Sequence, residues 1–337
     1  MKKIVIDCRY LGLSGIGRFL EGILDNLDFK KFEYILWGKK ELIEKYYNCK
    51  YIYDDKTPFS AKSLFKSPTK EINKADILFT PNFIIPYGIK IRCDIMLHDV
   101  IFLDMPELSN GFKDTLIKKH LIKRGVKKAY NIYTVSNFTK DRIIHYYKKV
   151  ENKINIIYAD VSNSFKDFNQ KLEKENYVIF VGNLKENKGL KYLLKAFDEI
   201  NDYKLVIVGT KENYRSYDKN IIDLGNPKIE FTGYISDEEL KNKIAKAKFL
   251  IQPSTYEGFG LPPLEAMYLG TKPIISDIEV FKEIYKDFDV IYFENKNSND
   301  LALKIKNSDY ILNFNKDLAL KKFSHKENAK KIENNFN

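Results

Sequence analysis

Short apolar runs alternate with longer stretches of helical spacing from one end of the chain to the other. In the first half, Lys3–Asp7, Tyr34–Trp37, Ile77–Thr80, Ile95–His98, Ile132–Val135 and Ile154–Ile157 read as strands, with helices at Gly17–Asn26, Phe112–Ala129 and Thr139–Tyr147. In the second half the strands are Val178–Gly182, Lys204–Gly209, Ile229–Thr232, Phe249–Gln252, Pro273–Ser276 and Val290–Phe293. Helices read at Gly189–Glu199, Asp237–Lys246, Pro262–Tyr268 and Ser298–Lys306, and Ser236 with Glu239 makes a capping box for the second of these. Near-continuous apolar strands between amphipathic helices predict parallel sheets covered on both faces. Two such series predict an α/β chain with two doubly wound, Rossmann-like domains.

At 337 residues the chain is too long for one ordinary core and suits two domains of about 150 residues each. The polar stretch Asp160–Glu175 has no period and reads as a hinge. The domains are therefore placed at 1–165 and 170–315. The tail 316–337 reads as a charged final helix, with a crossing back to the first domain left open. Ligands of open parallel sheets bind beyond the carboxyl ends of the strands, which directs the search for chemistry there.

Composition narrows the class. With 44% hydrophobic and 31% charged residues the chain is globular rather than disordered. No apolar run approaches the roughly 20 residues that span a bilayer. Met1-Lys2-Lys3 leads straight into Ile4-Val5-Ile6-Asp7, a first strand rather than a signal peptide, so the expected location is the cytoplasm. Cys8, Cys49 and Cys93 are odd in number and widely spaced, as suits reduced thiols. His98, His120, His145 and His325 lack metal-ligand spacing, and no metal site is expected. The net charge of +11 fits nucleic acid, an anionic membrane or phosphate-bearing substrates. No stacking motif or recognition module accompanies it, so nucleic acid is not expected.

The strongest chemical signal is Pro253-Ser254-Thr255-Tyr256-Glu257-Gly258-Phe259-Gly260-Leu261-Pro262-Pro263-Leu264-Glu265-Ala266-Met267, which follows a strand and opens a helix. Gly258 and Gly260 let backbone pass close to a ligand, and the prolines suit a first helical turn. The amides there, with the helix dipole, suggest an anion site. Glu257 and Glu265 bracket the loop, and carboxylates accept hydrogen bonds from paired sugar hydroxyls. Capping alone would account for Glu265.

This stretch resembles the E-x7-E signature of family-4 retaining glycosyltransferases, which have the GT-B fold. Further pieces resemble the same family in the same order. They are Gly12-Leu13-Ser14-Gly15-Ile16-Gly17-Arg18-Phe19, Leu97-His98-Asp99, Thr134-Val135-Ser136-Asn137-Phe138-Thr139, Val181-Gly182-Asn183-Leu184-Lys185-Glu186-Asn187-Lys188-Gly189 and Phe231-Thr232-Gly233-Tyr234-Ile235-Ser236. The set is similar to the mannosyltransferase-type subgroup of bacterial surface-polysaccharide synthesis. The resemblance implies two Rossmann-like domains facing each other across a cleft, acceptor in the first and nucleotide-sugar in the second.

The resemblance also implies roles. His98, Lys188 and Glu257 are the candidate catalytic residues. Gly15, Gly17, Asn183, Lys188, Gly233, Tyr234, Glu257, Gly258, Phe259, Gly260, Leu261 and Glu265 are the candidate donor-binding residues. Lys188 would neutralise the leaving diphosphate, Glu257 grip sugar hydroxyls and Glu265 the ribose. His98 would lie beside the transferred sugar, and Asp99 orients its ring or caps the next segment. The family often has arginine where Asn183 stands, which removes a fixed charge that Lys185 could replace. Plain alternatives stand beside these: a satisfied core histidine at His98, a solvated lysine at Lys188, a strand end at Gly233-Tyr234. A dinucleotide fingerprint at Gly15 and Gly17 fails because Leu20 stands where glycine or alanine is needed.

The expected activity is retaining transfer of a hexose, with mannose the subgroup's suggestion. The donor would be a GDP- or UDP-sugar acting as co-substrate, with no cofactor. The acceptor would be a saccharide or a lipid-linked saccharide of lipopolysaccharide, O-antigen or capsule. A nucleotide-sugar epimerase of the same fold, a glycogen-type synthase or phosphorylase, and a non-catalytic scaffold are the rivals. The segment 112–129 carries Lys113, Lys118, Lys119, His120, Lys123, Arg124, Lys127 and Lys128, with Phe112, Leu116, Leu121, Ile122 and Ala129 as its apolar stripe. Such a helix suits peripheral contact with an anionic membrane, and the commoner alternative is a helix packed on its sheet with a solvated cationic face.

Overall fold

A computed structural model describes residues 1–209 and 226–337. The chain divides into two compact units, Met1–Asp160 with Lys322–Asn337, and Val161–Lys321.

The first unit holds a seven-stranded parallel sheet. Its strands are β1 (Lys3–Asp7), β2 (Glu33–Gly38), β3 (Lys50–Tyr53), β4 (Ile77–Thr80), β5 (Arg92–Met96), β6 (Asn131–Thr134) and β7 (Ile154–Ile156), in the order β3-β2-β1-β4-β5-β6-β7. The edge strand β3 is absent from the sequence expectation. Its four residues, Lys-Tyr-Ile-Tyr, are only partly covered and alternate too briefly to announce a strand. The core under the sheet gathers Val5, Trp37, Leu78, Ile95 and Ile132 with Ile122 and Val126 of the helix Phe112–Lys128.

The second unit holds a six-stranded parallel sheet: β8 (Tyr177–Val181), β9 (Lys204–Val208), β10 (Ile229–Gly233), β11 (Phe249–Gln252), β12 (Lys272–Ser276) and β13 (Ile291–Phe293). Their order is β10-β9-β8-β11-β12-β13. All six were legible as apolar runs. Ser236 Oγ accepts the Glu239 amide at 3.2 Å and the Glu239 side chain returns to the Ser236 amide at 3.0 Å, completing the capping box of Asp237–Lys246. Phe165 of the short helix Asn163–Lys166 is buried in this unit, where that helix packs on Pro262–Tyr268.

Both sheets reverse their strand order once, at β1/β4 and at β8/β11. Neighbouring crossovers leave on opposite faces at such a point, which opens a crevice beyond the carboxyl ends of the two strands. The tail is two helices rather than one, Lys316–Lys322 and His325–Phe336. Phe323 is fully buried at the break, and Ser324 caps the second helix by accepting the Glu327 amide. That helix packs on Ser14–Leu24 in the first unit, where the His325 ring lies over Gly22.

Candidate functional site

The chemistry of the second unit gathers where β8 and β11 lie side by side. After β8 the chain turns through 182–189, and after β11 through 253–261. The turns are stapled together: the Thr255 amide donates to the Asn187 carbonyl at 2.8 Å, and Asn187 Nδ2 donates to the Tyr256 carbonyl at 3.1 Å. Gly189 makes this approach possible. Its φ is +67°, and a Cβ there would sit 1.8 Å from the Pro253 carbonyl oxygen. Only glycine meets both demands.

The staple brings Lys188 onto Glu257. Lys188 Nζ lies 2.7 Å from Oε1 and 2.9 Å from Oε2. The carboxylate is nearly covered by the protein and also receives Ser254 Oγ at 2.7 Å and Gln252 Nε2 at 3.3 Å. Lys188 is therefore no solvated lysine. Two of its three N–H bonds hold the carboxylate, and the third remains for an anion.

The start of the helix Pro262–Tyr268 differs from expectation. Pro262 and Pro263 have no N–H to offer, the Glu265 amide bonds the Leu261 carbonyl at 3.0 Å, and the Leu264 amide donates to the buried Tyr285 hydroxyl. Tyr285 in turn donates to the Gly260 carbonyl. This first turn is satisfied internally, so its amides are not open to an anion. Glu265 is buried on the same helix and Phe259 is buried in the loop.

Glycines also end the neighbouring strands. The Gly182 amide donates to the Val208 carbonyl at 3.0 Å and the Gly209 amide to the Gly233 carbonyl at 3.1 Å. A row of side-chain-free backbone thus lines the carboxyl edge of β8, β9 and β10. Gly209 belongs to this row although the sequence reading does not single it out. Tyr234 projects into solvent beside it, and Asn183 and Lys185 are exposed on the loop after β8.

The remaining candidates belong to the first unit. Gly17 is buried against its own turn, where a Cβ would meet the Tyr10 carbonyl oxygen at 2.4 Å, whereas Gly15 faces open space. His98 follows β5, and its Nε2 lies 3.0 Å from the Pro81 carbonyl. A carbonyl only accepts, so Nε2 carries the proton and Nδ1 is left as an acceptor. Burial drives the His98 pKa down to about 4, against the pull of the Pro81 carbonyl, so the ring is neutral at neutral pH. Phe19 meets it edge-on at 5.5 Å. Asp99 Oδ1 accepts the Ile101 amide at 3.0 Å, which fits the capping alternative for that residue. Nearby in sequence, Asp7 and Arg9 form a buried pair at 2.7 Å, with the guanidinium 3.5 Å above the Trp37 ring.

The basic helix Phe112–Lys128 divides its apolar residues between core and solvent. Ile122 and Val126 are buried, but Phe112, Leu116 and Ile117 are 77%, 50% and 57% exposed. The apolar stripe therefore shifts from the core to the solvent side in the first turns. Lys113, Lys119, Lys123 and Lys127 share the exposed side, while Lys118 is taken by Asp114 at 2.7 Å. Exposed Phe65 extends the patch: it stacks on Tyr87 at 4.9 Å, and the Tyr87 hydroxyl meets His120 at 3.1 Å.

Among the described residues no group of three or more His, Cys, Asp or Glu could hold a metal ion. No helix among them is long and apolar enough to cross a membrane.

Residues 162–312 match the family model described as Glycosyl transferases group 1. The O-antigen chain mannosyltransferase RfbU of Salmonella typhimurium is 37% identical over 193 residues, covering 56% of this chain and 53% of that protein. The O-antigen chain mannosyltransferase B of Escherichia coli is 26% identical, covering 61% of this chain and 58% of that protein. The chain thus spans little more than half the length of these curated relatives. Among solved structures, sucrose-phosphate synthase from Thermosynechococcus elongatus superposes with a TM-score of 0.76 over 100% of this chain and 98% of its own, at 15% identity. WaaG, a glycosyltransferase involved in lipopolysaccharide biosynthesis, gives 0.67 over 98% and 95%, at 14% identity. At such identities the likeness is one of fold, two parallel-sheet Rossmann-like domains of the GT-B class.

Proposed function

We propose, because residues 162–312 match the group 1 glycosyl transferase model, that the chain transfers a hexose, mannose first among candidates, from a nucleoside diphosphate sugar to a saccharide or lipid-linked acceptor with retention of configuration. The setting is cell-surface polysaccharide synthesis, as in lipopolysaccharide, O-antigen or capsule, at the cytoplasmic side of the membrane. The observation that carries the reading is the Lys188–Glu257 pair at the β8/β11 reversal. A carboxylate fixed in this way binds paired sugar hydroxyls. The cation beside it, through its third N–H, stabilises charge on a departing phosphate. Glu265 takes the ribose, the glycine edge at Gly233 takes the base, and neutral His98 offers Nδ1 to a sugar hydroxyl. The nucleotide-sugar is a co-substrate, and no cofactor or metal is invoked.

The test is transfer from GDP-mannose and UDP-hexoses to a lipid-linked saccharide, with the anomer read by NMR. An α-linkage from an α-donor is expected. A β-linked product would refute retention, and donor conversion to an epimer without transfer would favour the epimerase.

The exposed patch supports a peripheral membrane contact. Phe65, Phe112, Leu116 and Ile117 supply apolar insertion, and Lys62, Lys66, Lys113, Lys119, Lys123 and Lys127 surround them with positive charge. An apolar and an electrostatic signal together are what stable interfacial binding needs. The protein should sediment with phosphatidylglycerol vesicles and not with phosphatidylcholine. Phe112→Ser/Ile117→Ser should abolish this, and equal partition of that variant would sink the proposal.

A further inference from the structure

Three side chains of the second unit converge on one oxygen. Glu257 Oε1 receives Lys188 Nζ at 2.7 Å, Ser254 Oγ at 2.7 Å and Gln252 Nε2 at 3.3 Å. Oε2 receives Lys188 at 2.9 Å. A carboxylate oxygen has about two lone-pair directions, so Oε1 is saturated while Oε2 keeps acceptor capacity.

The directions of these bonds are forced. An ionised carboxylate only accepts, so Ser254 must turn its proton to Oε1 and Gln252 must present its nitrogen. Gln252 Nε2 also donates to Ser254 Oγ at 2.9 Å, which leaves that hydroxyl no other use for its proton. Gln252 and Ser254 are both fully buried. Gln252 Oε1 has no hydrogen-bond partner among the described residues, so its amide is oriented wholly by its nitrogen. Below them, the Ser276 hydroxyl at the end of β12 donates to the Ser254 carbonyl and anchors the turn. Gln252 closes β11 and Ser254 stands two residues on, so the relay is rooted in the sheet itself.

We propose that Ser254 and Gln252 are positioning residues for the sugar site: they lock the Glu257 carboxylate so that Oε2 is the atom that takes donor sugar hydroxyls. The inference rests on the reading of Glu257 as the sugar-gripping carboxylate. Neither residue touches the sugar. Ser254 fixes the carboxylate's rotation about its own axis, and Gln252 fixes Ser254. The bare nucleoside diphosphate does not reach this oxygen, so its binding should ignore both residues.

That difference supplies the test. Affinities for GDP and GDP-mannose, and for UDP and UDP-glucose, are measured by calorimetry on the whole chain. The pair that binds the wild type is carried forward. Ser254→Ala should leave the nucleoside diphosphate affinity unchanged and weaken the sugar nucleotide about fivefold or more. Gln252→Met, which keeps the volume and removes the amide, should shift it the same way by less. In a Glu257→Gln background, Ser254→Ala should cost nothing further, because residues acting through one another are not additive. Equal weakening of both ligands by both variants, or no change in either, overturns the proposal. A Glu257→Gln protein that holds the sugar nucleotide as tightly as wild type would instead overturn the underlying role of Glu257.

Discussion

Replacing Lys188 by methionine removes the cation from a carboxylate with little other access to water. The side chains are 21% exposed at Lys188 and 9% at Glu257, and they meet at 2.7 Å. Deleting one partner of a fully buried ion pair costs ~3–5 kcal/mol, because the other charge is left uncompensated. Here Glu257 keeps Ser254 and Gln252 as donors, and the lysine side is open to water. The expected cost is therefore about half, ~2 kcal/mol. For a unit the size of Val161–Lys321 that lowers Tm by roughly 4–8 °C. Glu257→Gln abolishes the charge that needs a partner, so Lys188→Met/Glu257→Gln should cost less than the two changes summed, by at least ~1 kcal/mol. Turnover behaves differently. Losing a group that stabilises a departing phosphate costs on the order of 10²–10³ in rate, and the double variant does not recover it. Thermal unfolding of the four proteins and donor consumption by each decide the matter. A Lys188→Met protein with wild-type Tm, or strictly additive losses, would refute the electrostatic argument. Recovered turnover in the double variant would refute the role in catalysis.

Three further outcomes follow from the geometry. Gly17→Ala should lower Tm by several degrees, because its Cβ would lie 2.4 Å from the Tyr10 carbonyl oxygen, whereas Gly15→Ala, with open space at that position, should unfold as wild type; equal Tm values would contradict this. Gly189→Ala should cost more than ~2 kcal/mol, since the left-handed backbone and the Pro253 carbonyl both oppose a side chain, and a wild-type Tm would show that the two turns can part. His98 is held near pKa 4 in the folded chain against 6.5 when unfolded, so the unfolded state takes up the proton first as pH falls. Stability should be full above pH 6.5 and decline toward pH 4, by up to ~3 kcal/mol. His98→Gln should remove that slope, and an unchanged Tm–pH curve in this variant would assign the slope to other groups.

Much of the second unit was legible because its strands are buried on both faces. Such strands print apolar runs with little ambiguity, and Phe249–Gln252 and Pro262–Tyr268 fall where the sequence places them. The edge strand β3 was not legible, since half-exposed Lys50–Tyr53 lacks that signature. Glu279–Tyr285 escaped notice too, although Tyr285 proves to close the loop at Gly260. Its spacing from Phe281 marks a core residue, and no local signal announces the hydroxyl's partner. The individual members of the candidate donor site were legible as motif residues, but their contacts were not. Lys188 and Glu257 stand far apart in the chain, and only the β8/β11 pairing makes them neighbours. Ser254 lies within the stretch singled out from sequence, yet its role appears only once the carboxylate's donors are counted. On the basic helix the sequence left open whether Phe112 and Leu116 face the sheet or the solvent, and both prove exposed. Apolar residues at helical spacing suit a buried stripe and an exposed one equally, and burial alone separates them.

The central claim is that the second unit binds and activates a nucleoside diphosphate sugar through Lys188 and Glu257. It is tested most directly by following release of nucleoside diphosphate from GDP-, UDP-, ADP- and dTDP-sugars with wild type and Glu257→Ala. The account predicts slow hydrolysis of sugars on one nucleotide by the wild type, with that nucleotide raising its Tm, and at least ~100-fold less release from the variant. Release from no donor, or identical release by the two proteins, would contradict it.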